Sequence, residues 1–175
     1  THGFDAREES DASPVLLETA FKTEIPQSVN LEFQTGIAPD TLLFGSIRWV
    51  DWTAFDIAPD HYTNTGTINP SGEALVFYDK DIITYNLGLG RKFSDNWSAA
   101  ILLGYEQNKN KPVGNLGPTN GFTSVGLAAT YTVGSAKITG GVRYVDIGDA
   151  TTRTIGSKFS GNYGWGFGLR VGYSF

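Results

Sequence analysis

Apolar and small polar residues alternate strictly over the last part of the chain. Glycines, Arg170 and Ser174 stand between the apolar positions, which are Tyr163, Trp165, Phe167, Leu169, Val171, Tyr173 and Phe175. A β-strand points successive side chains to opposite faces, so this stretch predicts a strand with one aromatic and aliphatic face and one nearly bare face. At about 3.3 Å per residue the strand spans roughly 40 Å, which suits a tilted strand that crosses a bilayer.

The same period of two recurs upstream and predicts an all-β chain. The predicted strands cover about 27–37, 41–55, 81–93, 97–107, 122–133, 136–148 and 162–175. The strand over 41–55 is less regular, because Val50 and Trp52 fall on its polar side. An eighth strand at 15–24 would need a hairpin at Ile25-Pro26-Gln27, whereas Pro26 can also sit within one long first strand. Residues 1–18 are predicted to be a loop or tail, and residues 19–175 to form the strands and their connections.

The connections between the predicted strands alternate between short and long. Short turns lie at Ala38-Pro39-Asp40, Ser94-Asp95-Asn96 and Gly134-Ser135, and long polar segments cover about 56–81, 108–121 and 148–162. Such alternation is typical of outer-membrane barrels, which have tight periplasmic turns and long extracellular loops. The last predicted strand follows a long connection, so its C-terminal end is expected on the side of the short turns, which is the periplasmic side.

These patterns predict an antiparallel transmembrane β-barrel of the outer-membrane type, located in the outer membrane of a Gram-negative bacterium. A soluble barrel with its aromatic residues inside is disfavoured, because only 18% of the residues are charged and soluble strands expose more Lys and Glu. Outer-membrane lipid is therefore the expected partner of the apolar face. Tyr and Trp near both strand ends fit the aromatic belts of such barrels, and Tyr173 and Phe175 are predicted to act as a C-terminal barrel-assembly signal.

Composition and charge exclude several other classes. The chain has 175 residues and no Cys, which excludes a disulfide scaffold and a cysteine-ligated metal. No run of about 18 apolar residues exists that could form a transmembrane helix. A net charge of -5 without a basic run argues against nucleic-acid binding. His2 and His61 lie far apart in predicted loops, so no enzyme activity, no metal site and no cofactor is predicted.

Charged residues on the polar face are the candidate lumen residues. They are Arg48, Lys92, Glu106, Arg143 and Arg170. Two interpretations stay open: the arginines pair with glutamates in a structural network, or they bind the carboxylate of an amphipathic ligand. In the first long segment, Phe55, Phe77 and Tyr78 are candidates for the first capture of an apolar ligand, although residues 75–78 can equally extend the next strand.

Four segments together resemble the FadL/TodX family of outer-membrane transporters of long-chain fatty acids and hydrocarbons. They are Ile25-Pro26-Gln27-Ser28-Val29-Asn30-Leu31-Glu32-Phe33, Arg48-Trp49-Val50-Asp51-Trp52-Thr53-Ala54-Phe55, Gly90-Arg91-Lys92-Phe93-Ser94-Asp95-Asn96-Trp97-Ser98 and Gly140-Gly141-Val142-Arg143-Tyr144. The resemblance covers about residues 19–175 and only the C-terminal half of that family. The family's hatch and lateral opening have no counterpart in these residues.

The resemblance implies seven or eight strands of a larger barrel of about 14 strands, an even number as in other bacterial barrels. A missing N-terminal half or another chain would complete the barrel. The implied function is passive uptake of hydrophobic compounds such as long-chain fatty acids or hydrocarbons, with a hydrophobic small molecule as ligand. Two rivals stay open: a small structural or adhesive outer-membrane barrel without transport activity, and a lipid-modifying barrel enzyme, against which the missing Ser/His/Asp grouping counts.

Overall fold

A computed structural model describes residues 2–10, 17–64, 69–109, 111–114, 116–117 and 119–174. These residues are mostly strand, with a 3-10 turn at Trp52–Ala54 and one short helix, α1 (Asp60–Thr63). The strands are β1 (His2–Ser10), β2 (Leu17–Ile25), β3 (Ser28–Ala38), β4 (Thr41–Val50), β5 (Asp56–Ile57), β6 (Val76–Phe77), β7 (Ile82–Lys92), β8 (Trp97–Glu106), β9 (Phe122–Val133), β10 (Ala136–Ile147), β11 (Ala150–Thr151), β12 (Lys158–Phe159) and β13 (Asn162–Tyr173). Within the described ranges, no helix has the length and apolarity needed to span a membrane.

Seven strands form one antiparallel sheet in the order β13-β10-β9-β8-β7-β4-β3. Each strand pairs with its neighbour along the chain, so the sheet is an up-and-down meander. The prediction of an all-β antiparallel fold is confirmed, and each of the seven predicted strands is present. In the part of the chain that the structure describes, β3 and β13 are the two edges of the sheet and do not pair with each other. These strands alone therefore do not form a closed barrel.

The strand predicted over 41–55 is shorter in the structure. It ends at Val50, and Trp52 belongs to the following 3-10 turn. The amide of Asp51 still donates to the carbonyl oxygen of Gln27 at 3.0 Å, which marks the last bond of this ladder. Trp52 therefore lies outside the strand, whereas Val50 is its last residue and still pairs with Ile82.

The N-terminal segment differs from the loop or tail predicted over 1–18. Residues 2–10 form β1, which pairs with β2 in a separate two-stranded sheet. A strand close to the predicted 15–24 segment thus exists as β2, but it does not join the large sheet. Pro26, which has no N–H to donate, follows Ile25 directly and separates β2 from β3. The β1–β2 ladder places Asp5 opposite Lys22, a register that alternation of apolar residues does not reveal.

The short and long connections lie at opposite ends of the sheet, as predicted. At one end are the tight turns at Pro39-Asp40, 93–96 and Gly134-Ser135. Asp40 and Gly134 both have a φ of 55°, the left-handed conformation that such turns require. The other end carries the long connections 51–81, 107–121 and 148–161. We refer to these two ends as the short-turn end and the long-loop end.

Strand register gives the large sheet two unlike faces. A row across the middle of one face, here called the apolar face, consists of Leu43, Leu89, Ile101, Leu127, Val142 and Phe167. The next row, on the opposite or polar face, consists of Leu42, Gly90, Ala100, Ala128, Gly141 and Gly168. This alternation persists along all seven strands because the side-chain period of a strand is two.

Among the residues that the structure describes, none forms a second layer over the apolar face. Leu127, in the middle of the sheet, is 56% exposed, and Phe167 on the edge strand is 81% exposed. In the described ranges, the buried hydrophobic residues are Val50 and Ala150, which both lie near the long-loop end. The described residues therefore form no hydrophobic core against the apolar face of the large sheet.

Candidate functional site

The polar face is the less exposed side of the sheet. Gly88, Gly104, Ser124 and Gly126 on this face are buried, whereas the large residues that flank them along their strands on the apolar face are exposed. Small residues become covered on the inner side of a curved sheet, where neighbouring strands crowd together. We infer that the sheet curves around its polar face and that this concave surface is the candidate functional site.

The five predicted lumen residues all lie on the polar face. Arg48 is opposite Thr84, which is opposite Glu106. One further row, near the short-turn end, runs from Lys92 to Arg170 through Ser98, Thr130 and Thr139. Arg143 lies between these levels, opposite Gly126 and Gly166. Register thus brings residues that are far apart in sequence onto a common surface, although it spreads them over its whole height.

Hydrogen bonds hold three of these side chains in place, and one of these bonds is donated by the Lys92 ammonium to Oδ1 of Asp95 at 3.0 Å. The Arg143 guanidinium donates through Nε and Nη2 to Oγ of Ser124, at 3.1 and 2.7 Å. The hydroxyl of Thr84 donates to Oε2 of Glu106 at 3.0 Å. Among the described residues, none of the ion pairs includes Arg48, Arg143 or Arg170. The arginine–glutamate network that one interpretation expected is therefore not formed by these residues.

Small and apolar side chains occupy the middle of the concave surface. The ring of Phe44 lies over Gly88, since a Cβ added to that glycine would be 2.3 Å from the ring. Leu102 lies in the same row, between Gly88 and Gly126. Two open clefts of about 470 and 400 Å³ lie along this surface, and both are lined by Asn86 and Leu102. Polar rows lie above and below this apolar middle band.

We expect Gly88→Ala to destabilise the sheet by about 1–2 kcal/mol, because the Phe44 ring must move to accommodate a methyl group. Adding Phe44→Leu should recover part of that loss. Gly140→Ala is the matched control, since it also lies in a strand and an added Cβ there meets nothing within 4 Å. Urea unfolding in detergent micelles measures the difference, and equal midpoints for Gly88→Ala and the wild type would contradict the packing described.

The long connections pack together at the long-loop end, where the predicted capture residues lie. Phe55 and Tyr78 both contact Trp52, with ring centroids at 5.9 and 4.9 Å. Phe77 is in β6 and lies under the Arg153 guanidinium, whose Cζ is 4.5 Å from the ring centroid. Phe55 and Tyr78 therefore join one aromatic cluster, whereas Phe77 joins a separate contact with a cation. Sequence reasoning missed Arg153 and gave Trp52 no site role.

Arg153 ties three long connections together. Its guanidinium pairs with Asp79 and lies 3.5 Å from Glu73, both in the first connection. It also donates to the carbonyl oxygen of Pro112 at 3.4 Å, in the second connection. A backbone bridge between Val113 and Thr152 runs beside these contacts. We call this assembly the loop cap.

Buried polar groups reinforce the loop cap. Asn120 accepts a hydrogen bond from the Lys109 amide at 2.7 Å and donates to Oδ1 of Asn108 at 2.8 Å. The Lys109 ammonium donates to the carbonyl oxygen of Lys80 at 3.0 Å. Burial lowers the pKa of the Lys109 ammonium below its ordinary value, while the charge of Glu106 acts in the opposite direction. These bonds fix the second connection against the first.

Replacing Arg153 with Gln should loosen the loop cap without unfolding the sheet. The variant loses the charge pairs with Glu73 and Asp79 and the contact with the Phe77 ring. Together these interactions stabilise the packed loop cap by about 1 kcal/mol. Chymotrypsin should then cleave after Phe77 and Tyr78 several-fold faster. Lys158→Gln provides the control, because Lys158 is exposed and forms no ion pair among the described residues. Identical cleavage rates in the two variants would show that Arg153 does not hold the loop cap.

The two residues of the predicted assembly signal are only partly described. Tyr173 ends β13 on the apolar face, opposite Ala136. Phe175 lies outside the described residues.

Searches against models of protein families and against curated proteins find no match for this chain.

Proposed function

We propose that this chain forms part of the wall of an outer-membrane β-barrel that lets hydrophobic compounds cross passively by binding and diffusion. The observation that carries the proposal is the uncovered apolar face opposite a concave polar one. In water, a face with residues as exposed as Leu127 and Phe167 would drive aggregation. In hydrocarbon the same face needs no second layer, and the concave face encloses a wetter interior.

The aromatic residues support a membrane placement. Near the short-turn end, Trp97 and Tyr131 are in contact with ring centroids at 4.8 Å. Near the long-loop end, Tyr144 contacts both Tyr163 and Trp165, with centroids at 6.0 and 5.0 Å. On β13 the strand from Tyr163 to Tyr173 covers about 33 Å, or about 25 Å along the membrane normal after a typical tilt. That height matches the apolar band of outer-membrane barrels.

The strand directions restrict how the wall is completed. Both edge strands, β3 and β13, run from the long-loop end to the short-turn end. Closure by antiparallel pairing therefore needs an odd number of additional strands between them. A second copy rotated about the membrane normal would instead place its β3 parallel to β13. We favour completion by a polypeptide with an odd number of strands, which agrees with the barrel of about 14 strands implied by the FadL/TodX resemblance.

The middle band of the concave surface supports passage of apolar compounds. Phe44, Leu102 and the glycines around them form an apolar zone between polar rows. An apolar molecule in this zone avoids the cost of displacing water from charged groups. The aromatic cluster of Trp52, Phe55 and Tyr78 at the long-loop end is a suitable surface for first contact with the same molecule.

Uptake measurements test the proposal. Cells lacking the gene are complemented with the wild type, with Gly126→Trp, which fills the middle of the concave surface, or with Leu127→Trp, the matched change on the apolar face. We expect Gly126→Trp to reduce uptake of radiolabelled oleate or of an aromatic hydrocarbon at least several-fold, and Leu127→Trp to preserve it. Uptake that is unchanged by loss of the gene would overturn transport and favour the rival structural or adhesive barrel.

A further inference from the structure

Three cations follow one another along the concave surface of β10 and β13. Arg143 lies near mid-height, and Arg170, opposite Thr139, lies four residues closer to the short-turn end. Lys137, opposite Gly172, lies two residues further on. At about 3.3 Å per residue, these steps are roughly 13 Å and 7 Å long. We call this row the cationic lane.

Among the described residues, no carboxylate forms an ion pair with Lys137, Arg143 or Arg170 of the cationic lane. The cleft of about 220 Å³ around its lower part is lined by Thr130, Lys137, Thr139, Arg170 and Gly172, with no carboxylate among them. Neither Lys137 nor Arg170 takes part in an ion pair within the described ranges. Lys92, in the same row as Arg170, differs because Asp95 binds its ammonium at 3.0 Å.

The surface between the cations is open and nearly free of side chains. Gly141, Gly166 and Gly168 separate Arg143 from Arg170, and added Cβ atoms at Gly166 and Gly168 would meet nothing within 4 Å. The larger cleft of about 470 Å³ includes both arginines and these glycines. A glycine surface flanked by guanidinium groups can contact the flat apolar part of a ligand, while the guanidinium groups attract an anionic group on the same ligand.

We propose that the cationic lane binds the carboxylate, sulfonate or phosphate group of a small, free amphipathic solute, with the glycine surface in contact with the solute's apolar body. This inference rests on the proposed function only in requiring that the concave face be wet. Arg143 is fixed by Ser124, so it forms a stationary upper contact. Arg170 and Lys137 lie close enough together to share one anion at the lower contact.

Thiol reactivity measures the electrostatic potential of the cationic lane directly. The chain has no Cys, so Gly168→Cys introduces a unique thiol between Arg143 and Arg170. Its modification rates are compared for an anionic methanethiosulfonate, which carries a sulfonate, and a cationic one, which carries a trimethylammonium group. Gly36→Cys is the matched control, because it lies on the same face and at the same level near the other edge, and an added Cβ there also meets nothing within 4 Å.

We expect the anionic-to-cationic rate ratio to be higher at Gly168→Cys than at Gly36→Cys. Adding Lys137→Gln and Arg170→Gln to Gly168→Cys should lower that ratio about tenfold, since the two charges removed lie about two and four residues, or roughly 7 and 13 Å, along the strand from the thiol. Arg91→Gln, which removes a cation from the apolar face, should leave it unchanged. Equal ratios at the two cysteines, or no effect of the double substitution, would overturn the proposal.

Competition identifies the source of the anion. In phosphatidylcholine vesicles, benzenesulfonate should slow modification of Gly168→Cys, whereas the neutral benzenesulfonamide should not. Protection that appears only when phosphatidylglycerol is added to the vesicles would indicate a lipid headgroup and would contradict a free solute. The uptake assay tests the proposed function separately, because thiol reactivity requires no transport.

Discussion

Leu127→Arg should prevent stable insertion of the chain into lipid vesicles, whereas Ala128→Arg should be tolerated. Both changes introduce the same charge at adjacent positions of β9, but Leu127 lies on the apolar face and Ala128 on the polar face. An arginine on the lipid side near the bilayer midplane costs about 2–4 kcal/mol. The same side chain in a wet interior costs much less, since its charge stays hydrated.

The fraction of protein that floats with vesicles in a density gradient measures this difference. We expect the Leu127→Arg fraction to fall at least several-fold below that of the wild type, and the Ala128→Arg fraction to stay close to it. The reverse order would mean that the faces are assigned the wrong way round. Equal and full recovery of both variants in the lipid fraction would show that Leu127 does not contact hydrocarbon.

Gly121→Ala should destabilise the protein by about 3 kcal/mol. Gly121 has a φ of 74°, and an added Cβ would lie 2.5 Å from the carbonyl oxygen of Glu106 and 2.7 Å from the amide nitrogen of Asn108. The substitution therefore combines left-handed backbone strain with a collision against backbone atoms that cannot move independently. Gly121 also precedes β9 directly, so the disturbance reaches the sheet as well as the loop cap.

Gly156→Ala separates these two contributions. Gly156 has a similar φ of 66°, but an added Cβ there meets nothing within 4 Å. Backbone strain alone should cost about 1 kcal/mol. Urea unfolding of both variants in detergent micelles gives the comparison, and a Gly156→Ala loss as large as that of Gly121→Ala would refute the role assigned to the collision.

Alternation of side chains was sufficient to predict the sheet. In β13, glycine or a polar residue alternates with large apolar residues, which leaves one consistent interpretation, a strand with two unlike faces. The strand order follows from the short turns, because a tight turn such as Gly134-Ser135 forces antiparallel neighbours. The placement of Arg143 and Arg170 on the polar face then follows from counting alternate positions along β10 and β13.

Features that depend on distant partners were not predictable in this way. Arg153 contacts Asp79, which is 74 residues away in the sequence, and no local sequence pattern predicts such a pair. Trp52 lies within the segment predicted as a strand, but it belongs to the 3-10 turn and packs on Tyr78. β1 has mixed polar composition, so no apolar alternation in its sequence predicts its pairing with β2. Sequence periodicity describes one strand at a time and carries no information on which loops meet.

Tryptophan quenching by brominated lipids tests most directly whether the apolar face meets hydrocarbon. The four native tryptophans are replaced by phenylalanine, and one tryptophan is introduced as Leu127→Trp or as Ala128→Trp. Bromine atoms deep in the acyl chains should strongly quench the fluorescence of Leu127→Trp and leave that of Ala128→Trp nearly unchanged. Fluorescence of Leu127→Trp that is insensitive to the brominated lipid, in protein that has folded with the vesicles, would contradict a lipid-facing apolar surface.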